Sequence, residues 1–323
     1  MELVRPFFSI LIPMFNSSQY IEKCIDSILI QKFSDFEIIL VDDGSTDDSV
    51  EVVSKYIKEY RFIKILRQTN KGVSAARNLG LDTVVGKYVM FMDSDDYWMN
   101  GTMIKLHEIL LKNKSVDILF FNYLESSKQS QTPHTVSSTF LGKRISRNKA
   151  IESVLSSTGG LGYCWNKVFS RYSINNKRFD ENINYSEDML FNVDCILGVK
   201  EIMSIDDCCY VYNLRADSIV NTFMPTRLTF FEVLDRIGQL LPIDFNDLIV
   251  IKKQFARIEF ASKLIFLEHK MYRIFKREYR NEKVITDLNK YCLGKTEFIT
   301  LLLANFSFTI SALVLKIIKR VQK

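Results

Sequence analysis

An apolar run and a cluster of carboxylates adjoin in the stretch Tyr88-Val89-Met90-Phe91-Met92-Asp93-Ser94-Asp95-Asp96. The apolar run is typical of a strand buried on both faces, and the ligands of parallel sheets collect at the carboxyl ends of such strands. Three carboxylates at this spacing repel one another unless a cation lies among them. Their hard oxygens suit Mg²⁺ or Mn²⁺, which also bind diphosphates. The stretch therefore predicts a metal–nucleotide site, with a solvated Asp-rich turn as the alternative.

Strand and helix patterns alternate on both sides of this stretch. Continuous apolar runs predict strands, and apolar residues that recur every three or four positions predict the helices between them. The predicted strands are 8–12, 36–41, 62–66, 88–92 and 116–122, and the predicted helices are 21–29, 50–57, 73–81 and 103–111. This alternation predicts an α/β fold with a doubly wound, mostly parallel sheet.

Polar turns follow the first four predicted strands. They are Pro13-Met14-Phe15-Asn16, Asp42-Asp43-Gly44-Ser45-Thr46-Asp47, the segment 70–80 and the carboxylate cluster. Because neighbouring parallel strands point the same way, we expect all four turns at one edge of the sheet. Carboxylates there can accept hydrogen bonds from a base and a ribose, and Arg77 can pair with a phosphate. The four turns together predict a nucleotide site.

The same turns strongly resemble the pattern of glycosyltransferase family two. The matching segments are 9–16, 41–45, 70–72, 76–80 and 93–96, in this order and within about the first hundred residues. The resemblance implies the GT-A fold and a nucleotide-activated sugar as the donor substrate.

The resemblance also implies which residues bind the donor. Pro13 and Asn16 would line the nucleoside pocket. Asp43 would read the base with support from Asp42, and Arg77 would line the nucleotide pocket as well.

The carboxylate cluster matches the family's Asp-x-Asp motif. By the resemblance, Asp95 would be the direct metal ligand, and Asp93 would hold the ribose or a metal-bound water. Asp96 would face the acceptor or the donor sugar. The implied cofactor is Mn²⁺ or Mg²⁺.

A second acidic motif, Ser186-Glu187-Asp188, lies in the middle of the chain. Ser186 is a good N-cap, and carboxylates in a first helical turn are stabilised by the helix dipole, which explains the motif structurally. The functional explanation is a general base, because an inverting transfer needs a carboxylate to take the proton of the attacking hydroxyl. The motif is similar to the family's Glu-Asp motif, which implies Asp188 as the base and Glu187 as an acceptor-side or orienting residue. At a helix start we expect a lowered pKa for Asp188, so that it is ionised at pH 7.

The segment 210–219 is typical of a strand that ends in a polar loop. It resembles the family's tyrosine-rich strand, which is followed by an Arg and a Ser. Arg215 could therefore reach the diphosphate and stabilise the leaving group. An ordinary surface loop is the alternative.

Charge is distributed unevenly along the chain. Residues 250–323 carry 16 Lys and Arg against 6 Asp and Glu, whereas residues 1–249 carry 27 against 32. A basic end of this kind fits an anionic membrane surface or a solvated helical face, and by itself it does not indicate a nucleic acid. We predict two domains, a catalytic domain over 1–225 and a helical region over 226–323.

An uncharged run, 298–315, precedes the basic C-terminus. Its length is at the threshold for a spanning helix, but its polar residues favour a helix that lies at a membrane interface. A buried or dimer-forming helix and a spanning helix are the alternatives. The expected partners are thus the cytoplasmic face of the membrane and a second copy of the chain.

The cysteines and the N-terminus bear on the compartment. The six cysteines form no Cys-x-x-Cys pair, and the first residues lack the charged and apolar regions of a signal peptide. Both features predict a cytoplasmic protein with reduced thiols, peripheral on the inner face of the membrane.

These observations predict a metal-dependent, inverting glycosyltransferase. Its donor would be a nucleoside diphosphate-sugar, with uridine the family's commonest base, and its acceptor a glycan or lipid-linked sugar of surface-polysaccharide synthesis. A nucleotidyltransferase is one alternative, but it would carry a basic, Gly-rich loop in place of segment 13–16. A non-catalytic partner subunit is the other, and the intact Arg77, Asp95 and Asp188 argue against it.

Overall fold

The computed structural model describes residues 5–126, 131–134, 142–156, 162–214, 225–265, 269–282, 285, 287–291, 293 and 295–321. These residues form two compact units. The first contains the described residues up to 214 except Leu155 and Ser156, and the second contains those two and the residues from 225 onward.

The first unit is built on one mixed sheet with helices between its strands. Its strands are β1 (Phe8–Met14), β2 (Phe36–Asp42), β3 (Ile63–Arg67), β4 (Tyr88–Phe91), β5 (Tyr97–Trp98), β6 (Ile118–Ser126), β7 (Gln131–His134), β8 (Arg144–Ile145), β9 (Lys167–Ser170) and β10 (Ile202–Asn213). Its helices are α1 (Ile21–Leu29), α2 (Ser49–Glu59), α3 (Val73–Leu81), α4 (Thr102–Lys112), α5 (Arg147–Leu155) and α6 (Glu187–Leu197).

The sheet has the strand order β3-β2-β1-β4-β9-β6-β10-β5, with β7 beside β6 and β8 beside β10. The strands β3, β2, β1 and β4 are parallel, and so are β6 and β10. By contrast, β9 runs antiparallel to both β4 and β6. The predicted doubly wound, mostly parallel sheet is confirmed. The sequence did not predict β5, β7 and β8, because strands of two to four residues are too short to show a period.

The core of the first unit lies on both faces of the parallel strands. Every residue of β1 and β2 is buried, as expected for strands covered on both faces. Helix α3 approaches β1 especially closely at Gly80, where a Cβ atom would lie 2.6 Å from the Leu11 side chain. A glycine at this position therefore lets α3, which carries Arg77, pack directly on the sheet.

The second unit is helical in its described residues. Its helices are α7 (Thr229–Leu240), α8 (Asn246–Leu264), α9 (His269–Asn281), α10 (Lys295–Phe306) and α11 (Phe308–Val321). Helix α8 packs against each of the other four, and the cluster of buried apolar residues around it includes Leu301, Phe308 and Leu315. Within this core Lys252 and Glu297 form an ion pair of 3.0 Å with both side chains almost fully buried.

The uncharged run 298–315 is divided at Ser307 between α10 and α11. One face of each helix is buried in the core of the second unit, and Ile299, Leu302, Phe306, Ile310 and Ile317 are exposed on the other side. Lys319, in the basic end after the run, pairs with Glu259 of α8 at 2.6 Å. Across the described residues, no helix combines the length and apolarity that crossing a membrane requires.

Candidate active site

A cleft of about 490 Å³ opens at the carboxyl edge of the parallel strands, a size typical of small-molecule sites. It is lined by Pro13, Met14, Phe15, Asp43, Asn70, Gly72, Val73, Ala76, Arg77, Asp93, Ser94 and Asp95. These residues come from the end of β1, from the segments that follow β1, β2, β3 and β4, and from the first turns of α3. The four turns thus meet at one edge of the sheet, as the sequence predicts.

Asp43 organises one wall of the cleft. One of its carboxylate oxygens accepts hydrogen bonds from the Gln68 side chain and the Lys71 backbone N–H, each at 2.8 Å. The other accepts from the backbone N–H of Gly72, also at 2.8 Å. The carboxylate therefore fixes the loop between β3 and α3, while its side chain still lines the cleft.

Two of the predicted donor-binding residues do not line the cleft. Asp42 is fully buried, and its carboxylate accepts from the Ser45 backbone N–H at 3.0 Å and from Arg67 Nε at 3.3 Å. Asn16 has a left-handed backbone (φ 49°), and its Oδ1 accepts from the backbone N–H of Thr46 at 2.8 Å. Both side chains thus stabilise the turn that follows β2, whereas Pro13 lies in the cleft wall.

Arg77 connects the two acidic motifs. Its guanidinium is buried and donates to Asp93 Oδ1 at 3.1 Å and to Glu187 Oε1 at 2.8 Å. The Phe179 ring lies 5.2 Å from its Cζ. Arg77 lines the cleft as predicted, but both of its terminal nitrogens bind carboxylates of the chain itself. Arg77 and Glu187 are 110 positions apart in the sequence.

The carboxylates after β4 separate into two environments. Asp93 and Asp95 line the cleft, whereas Asp96 is buried and turned toward β10. Asp96 accepts from the Tyr210 hydroxyl at 2.6 Å and from the backbone N–H of Asn213 at 2.8 Å. Burial, followed by the nearby Asp93 and Asp95, raises the pKa of Asp96 well above its usual range. The expectation that Asp96 faces a sugar is therefore wrong.

Tyr210 fixes the shape of this motif. Its hydroxyl accepts the backbone N–H of Asp93 at 3.1 Å while it donates to Asp96. The sequence indicated a tyrosine-rich strand here, but nothing in it showed which tyrosine would reach the carboxylates.

The acidic cleft fits a divalent cation bound together with a diphosphate. In the described residues, no group of three or more His, Cys, Asp or Glu side chains is arranged to hold a metal by itself. Mg²⁺ and Mn²⁺ are commonly held by one or two carboxylates, with substrate phosphates and water as the remaining ligands. Asp93 and Asp95 supply such a pair of side chains at the cleft wall.

Asp188 lies half-buried in the first turn of α6. Burial and the adjacent Glu187 raise the pKa of Asp188 to about 7, against the opposing charges of Arg77 and Lys167. The predicted lowering of this pKa is wrong, because the loss of hydration outweighs the helix dipole. Ser186 occupies the N-cap position with a left-handed backbone (φ 63°) and makes no side-chain capping bond, so its predicted capping role is wrong as well.

Lys167 is a buried cation near Asp188 that the sequence did not single out. Its ammonium donates to the backbone carbonyl of Tyr163 and to Asn166 Oδ1, and the Phe120 ring lies 4.9 Å away. Burial lowers the pKa of Lys167 to about 7. The only signal in the sequence is a single charged residue within the segment 165–169. The last predicted site residue, Arg215, lies outside the described residues.

Taken together, a mostly parallel sheet and an acidic cleft at its carboxyl edge define a nucleotide-binding α/β protein of the GT-A class. The model of the family "Glycosyl transferase family 2" matches residues 9–176, and the chain belongs to this family.

Relatives and a solved structure agree with this assignment. The chain is 32% identical to the uncharacterized glycosyltransferase EpsJ of Bacillus subtilis over 66% of its own length and 63% of EpsJ. It is 28% identical to the minor teichoic acid biosynthesis protein GgaA of the same organism, over 74% of the chain and 55% of GgaA. The chain thus spans less than two thirds of either relative. S. aureus TarS 1–349 in complex with UDP-GlcNAc shares the fold, with a TM-score of 0.65, 21% identity and coverage of 98% of this chain and 92% of the 1–349 chain.

Proposed function

We propose that the protein is a metal-dependent, inverting glycosyltransferase that moves a sugar from a UDP-sugar to a hydroxyl group of a glycan or lipid-linked acceptor. The observation that carries the proposal is the Arg77 bridge, which holds Asp93 of the donor motif and Glu187 of the base motif together in one region. The UDP-GlcNAc bound to TarS supports the choice of a uridine donor. The role of GgaA in teichoic acid biosynthesis supports an acceptor in surface-polymer synthesis.

The donor would lie along the four turns. Pro13 and Asp43 would contact the nucleoside. The Asp43 carboxylate would also hold the loop at Lys71 and Gly72 in place beside it. Asp93 and Asp95 would hold Mg²⁺ or Mn²⁺, which on binding neutralises the diphosphate charge. Arg215 would contact the departing diphosphate.

Asp188 would act as the general base on the acceptor. It would take the proton of the acceptor hydroxyl at a carboxylate oxygen while that hydroxyl attacks the anomeric carbon and the bond to the diphosphate breaks. A base is most effective when its pKa is close to the working pH, and the raised pKa of Asp188 meets this condition. Arg77 and Glu187 would position the base relative to the donor motif.

Two alternatives receive less support. A nucleotidyltransferase would hold a triphosphate with a basic, Gly-rich loop, whereas Pro13, Met14 and Phe15 line that part of the cleft. A non-catalytic partner subunit would not need a carboxylate with a pKa of about 7 near the cleft.

The proposal can be tested by ligand binding and product analysis. A thermal-shift screen of nucleotide-sugars with Mn²⁺ should identify the donor, because a ligand at 100 times its Kd stabilises a protein by about 2.7 kcal/mol. Release of UDP on addition of a lipid-linked or glycan acceptor should follow, and NMR of the product should show inverted anomeric configuration. Pyrophosphate release would indicate the nucleotidyltransferase, and binding without turnover on any acceptor would indicate the partner subunit.

The basic helical unit supports a peripheral location at the cytoplasmic face of the membrane. An acceptor carried on a lipid would be encountered there. This part of the proposal concerns location only, and the transfer chemistry does not depend on it.

A further inference from the structure

Helix α9 carries a row of exposed basic residues. Arg273, Arg277 and Arg280 recur at intervals of four and three, which places them on one face of the helix. All three are exposed, and no side chain of the described residues pairs with them. The opposite face of α9 is anchored, with Phe275 and Tyr279 buried in the core of the second unit.

An exposed apolar row lies on the neighbouring helices. Phe306, at the end of α10, is 91% exposed, and Ile310 and Ile317 of α11 are 54% and 61% exposed. Ile310 and Ile317 are seven positions apart and therefore share a face of α11. Isolated exposed apolar residues are ordinary, but a row of large ones beside a row of arginines is not.

The helices that carry the two rows are neighbours in the second unit. Helices α9 and α11 both pack on α8 and also touch each other. The contact between them includes Tyr272 and Lys276, whose side chains donate to the Thr309 hydroxyl at 2.8 and 3.1 Å. The faces that α9 and α11 turn away from α8 are therefore adjacent. We call the surface formed by Arg273, Arg277, Arg280, Phe306, Ile310 and Ile317 the α9–α11 face.

We infer that the α9–α11 face docks the protein on an anionic lipid surface. The arginines would contact lipid phosphates, and the apolar row would enter the boundary between headgroups and acyl chains. A nucleic acid or another soluble polyanion would use the arginines but would leave Phe306 and Ile310 in water. The inference rests on the proposed function in one respect, since it supplies the surface by which a lipid-linked acceptor would be approached. It also changes the sequence-based expectation: part of the run 298–315 is core, and the lipid contact is divided between α9 and the exposed side of α10 and α11.

Vesicle binding by the full chain tests the inference. The probe is flotation with vesicles of phosphatidylcholine containing 30 mol% phosphatidylglycerol, with pure phosphatidylcholine vesicles as the neutral comparison (composition chosen as about a third anionic lipid, as in a strongly anionic leaflet). We expect binding to the anionic vesicles that weakens as salt rises. The triple variant R273A/R277A/R280A should lose about 100-fold in partitioning, because each basic residue contributes roughly fivefold.

A matched variant controls for net charge. K55A/K58A/R61A removes three exposed charges in the first unit, two near the end of α2 and one two residues beyond it, and should bind vesicles like the parent. F306S should remove part of the binding that persists at high salt, because that part comes from buried apolar area. Equal losses in both triple variants would overturn the inference, and so would the absence of binding to anionic vesicles. Binding of the parent to soluble polyphosphate, with no vesicle binding, would also overturn it and indicate a polyanion site.

The test separates this inference from the proposed function. Donor binding, followed by thermal shift with UDP-sugars and Mn²⁺, uses the first unit and should be the same in all three variants. A parent protein that binds and turns over the donor but does not float with vesicles would leave the transferase proposal intact and remove only the lipid surface.

Discussion

Arg77 of the sheet unit and Lys252 of the helical unit are buried cations that are neutralised in different ways. In the helical unit, Lys252 meets a single carboxylate, Glu297, and the pair is almost fully buried. In the sheet unit, Arg77 meets Asp93 and Glu187 together, and the next residue along the chain is another carboxylate, Asp188. The first arrangement is balanced in charge, whereas the second leaves excess negative charge beside an open cleft. Sites that bind cations and move protons commonly carry such an imbalance.

The largest expected effect is on catalysis at the unbalanced site. Asp188→Asn removes the proposed base while it keeps the size of the side chain, and removal of a positioned general base typically lowers the rate by roughly 10²–10⁴-fold. The Kd for the UDP-sugar, measured by thermal shift with Mn²⁺, should change little. Asp194→Asn is the matched control, because Asp194 lies on the same helix and pairs with Lys177. Turnover of Asp188→Asn within twofold of the parent would contradict the assignment of the base.

Disruption of the Lys252–Glu297 pair should lower the free energy of unfolding and not the catalytic rate. Lys252→Met removes the cation that pairs with buried Glu297 at 3.0 Å, and breaking a buried pair in this way typically costs about 3–5 kcal/mol. The midpoint of urea unfolding should fall accordingly. In the double variant K252M/E297L most of the loss should be recovered, since replacing a whole buried pair by apolar residues is often neutral. A single variant as stable as the parent would show that the pair is more hydrated than its burial indicates.

A smaller effect on stability is expected where α3, the helix that carries Arg77, packs on β1. Gly80→Ala would place a methyl group against Leu11, and overpacking of this kind typically costs about 1–3 kcal/mol. Unfolding should therefore occur at lower urea concentration. Gly101→Ala is a control for the loss of a glycine, because no heavy atom lies within 4 Å of a Cβ there, although its positive φ (80°) adds strain of its own. If Gly80→Ala is the milder of the two, close packing is not what requires a glycine in α3.

The most subtle expected effect is a shift in pH dependence. Glu187 helps to raise the pKa of Asp188, so Glu187→Gln should lower that pKa. A general base is active when ionised, and the acid limb of kcat/KM, expected near pH 7 in the parent, should move to lower pH. The raised pKa of Asp188 also makes the free energy of unfolding depend on pH. Because the folded protein holds this proton more tightly than the unfolded chain does, protonation of Asp188 stabilises the fold at low pH. This stabilisation is lost as the pH rises from the ordinary value of 3.8 toward 7. An unchanged acid limb in Glu187→Gln would show that burial alone sets the pKa.

The sequence correctly predicted which turns meet at the carboxyl edge of the sheet, but it predicted the orientation and pKa of their side chains less well. The strands β1, β2, β3 and β4 are short apolar runs, and each can be recognised from neighbouring residues alone. Because these strands are parallel, their carboxyl ends and the turns that follow them meet at one edge of the sheet. The inward turn of Asp96 follows instead from Tyr210, 114 positions away, and the pKa of Asp188 follows from burial by distant segments. Contacts of this kind depend on tertiary packing, which a motif does not encode.

The hydroxyl of Tyr210 also has a consequence for the protein during its synthesis. A nascent chain that ends before β10 already contains all four turns and both cleft carboxylates, but it lacks the residue that ties the Asp93 backbone to Asp96. The turn 93–96 therefore gains these hydrogen bonds only when residues 210–213 have been synthesised and have joined the sheet beside β6. A chain that ends before residue 210 would carry the turn 93–96 without the bonds that fix its shape, so the proposed donor site would be completed only late in translation.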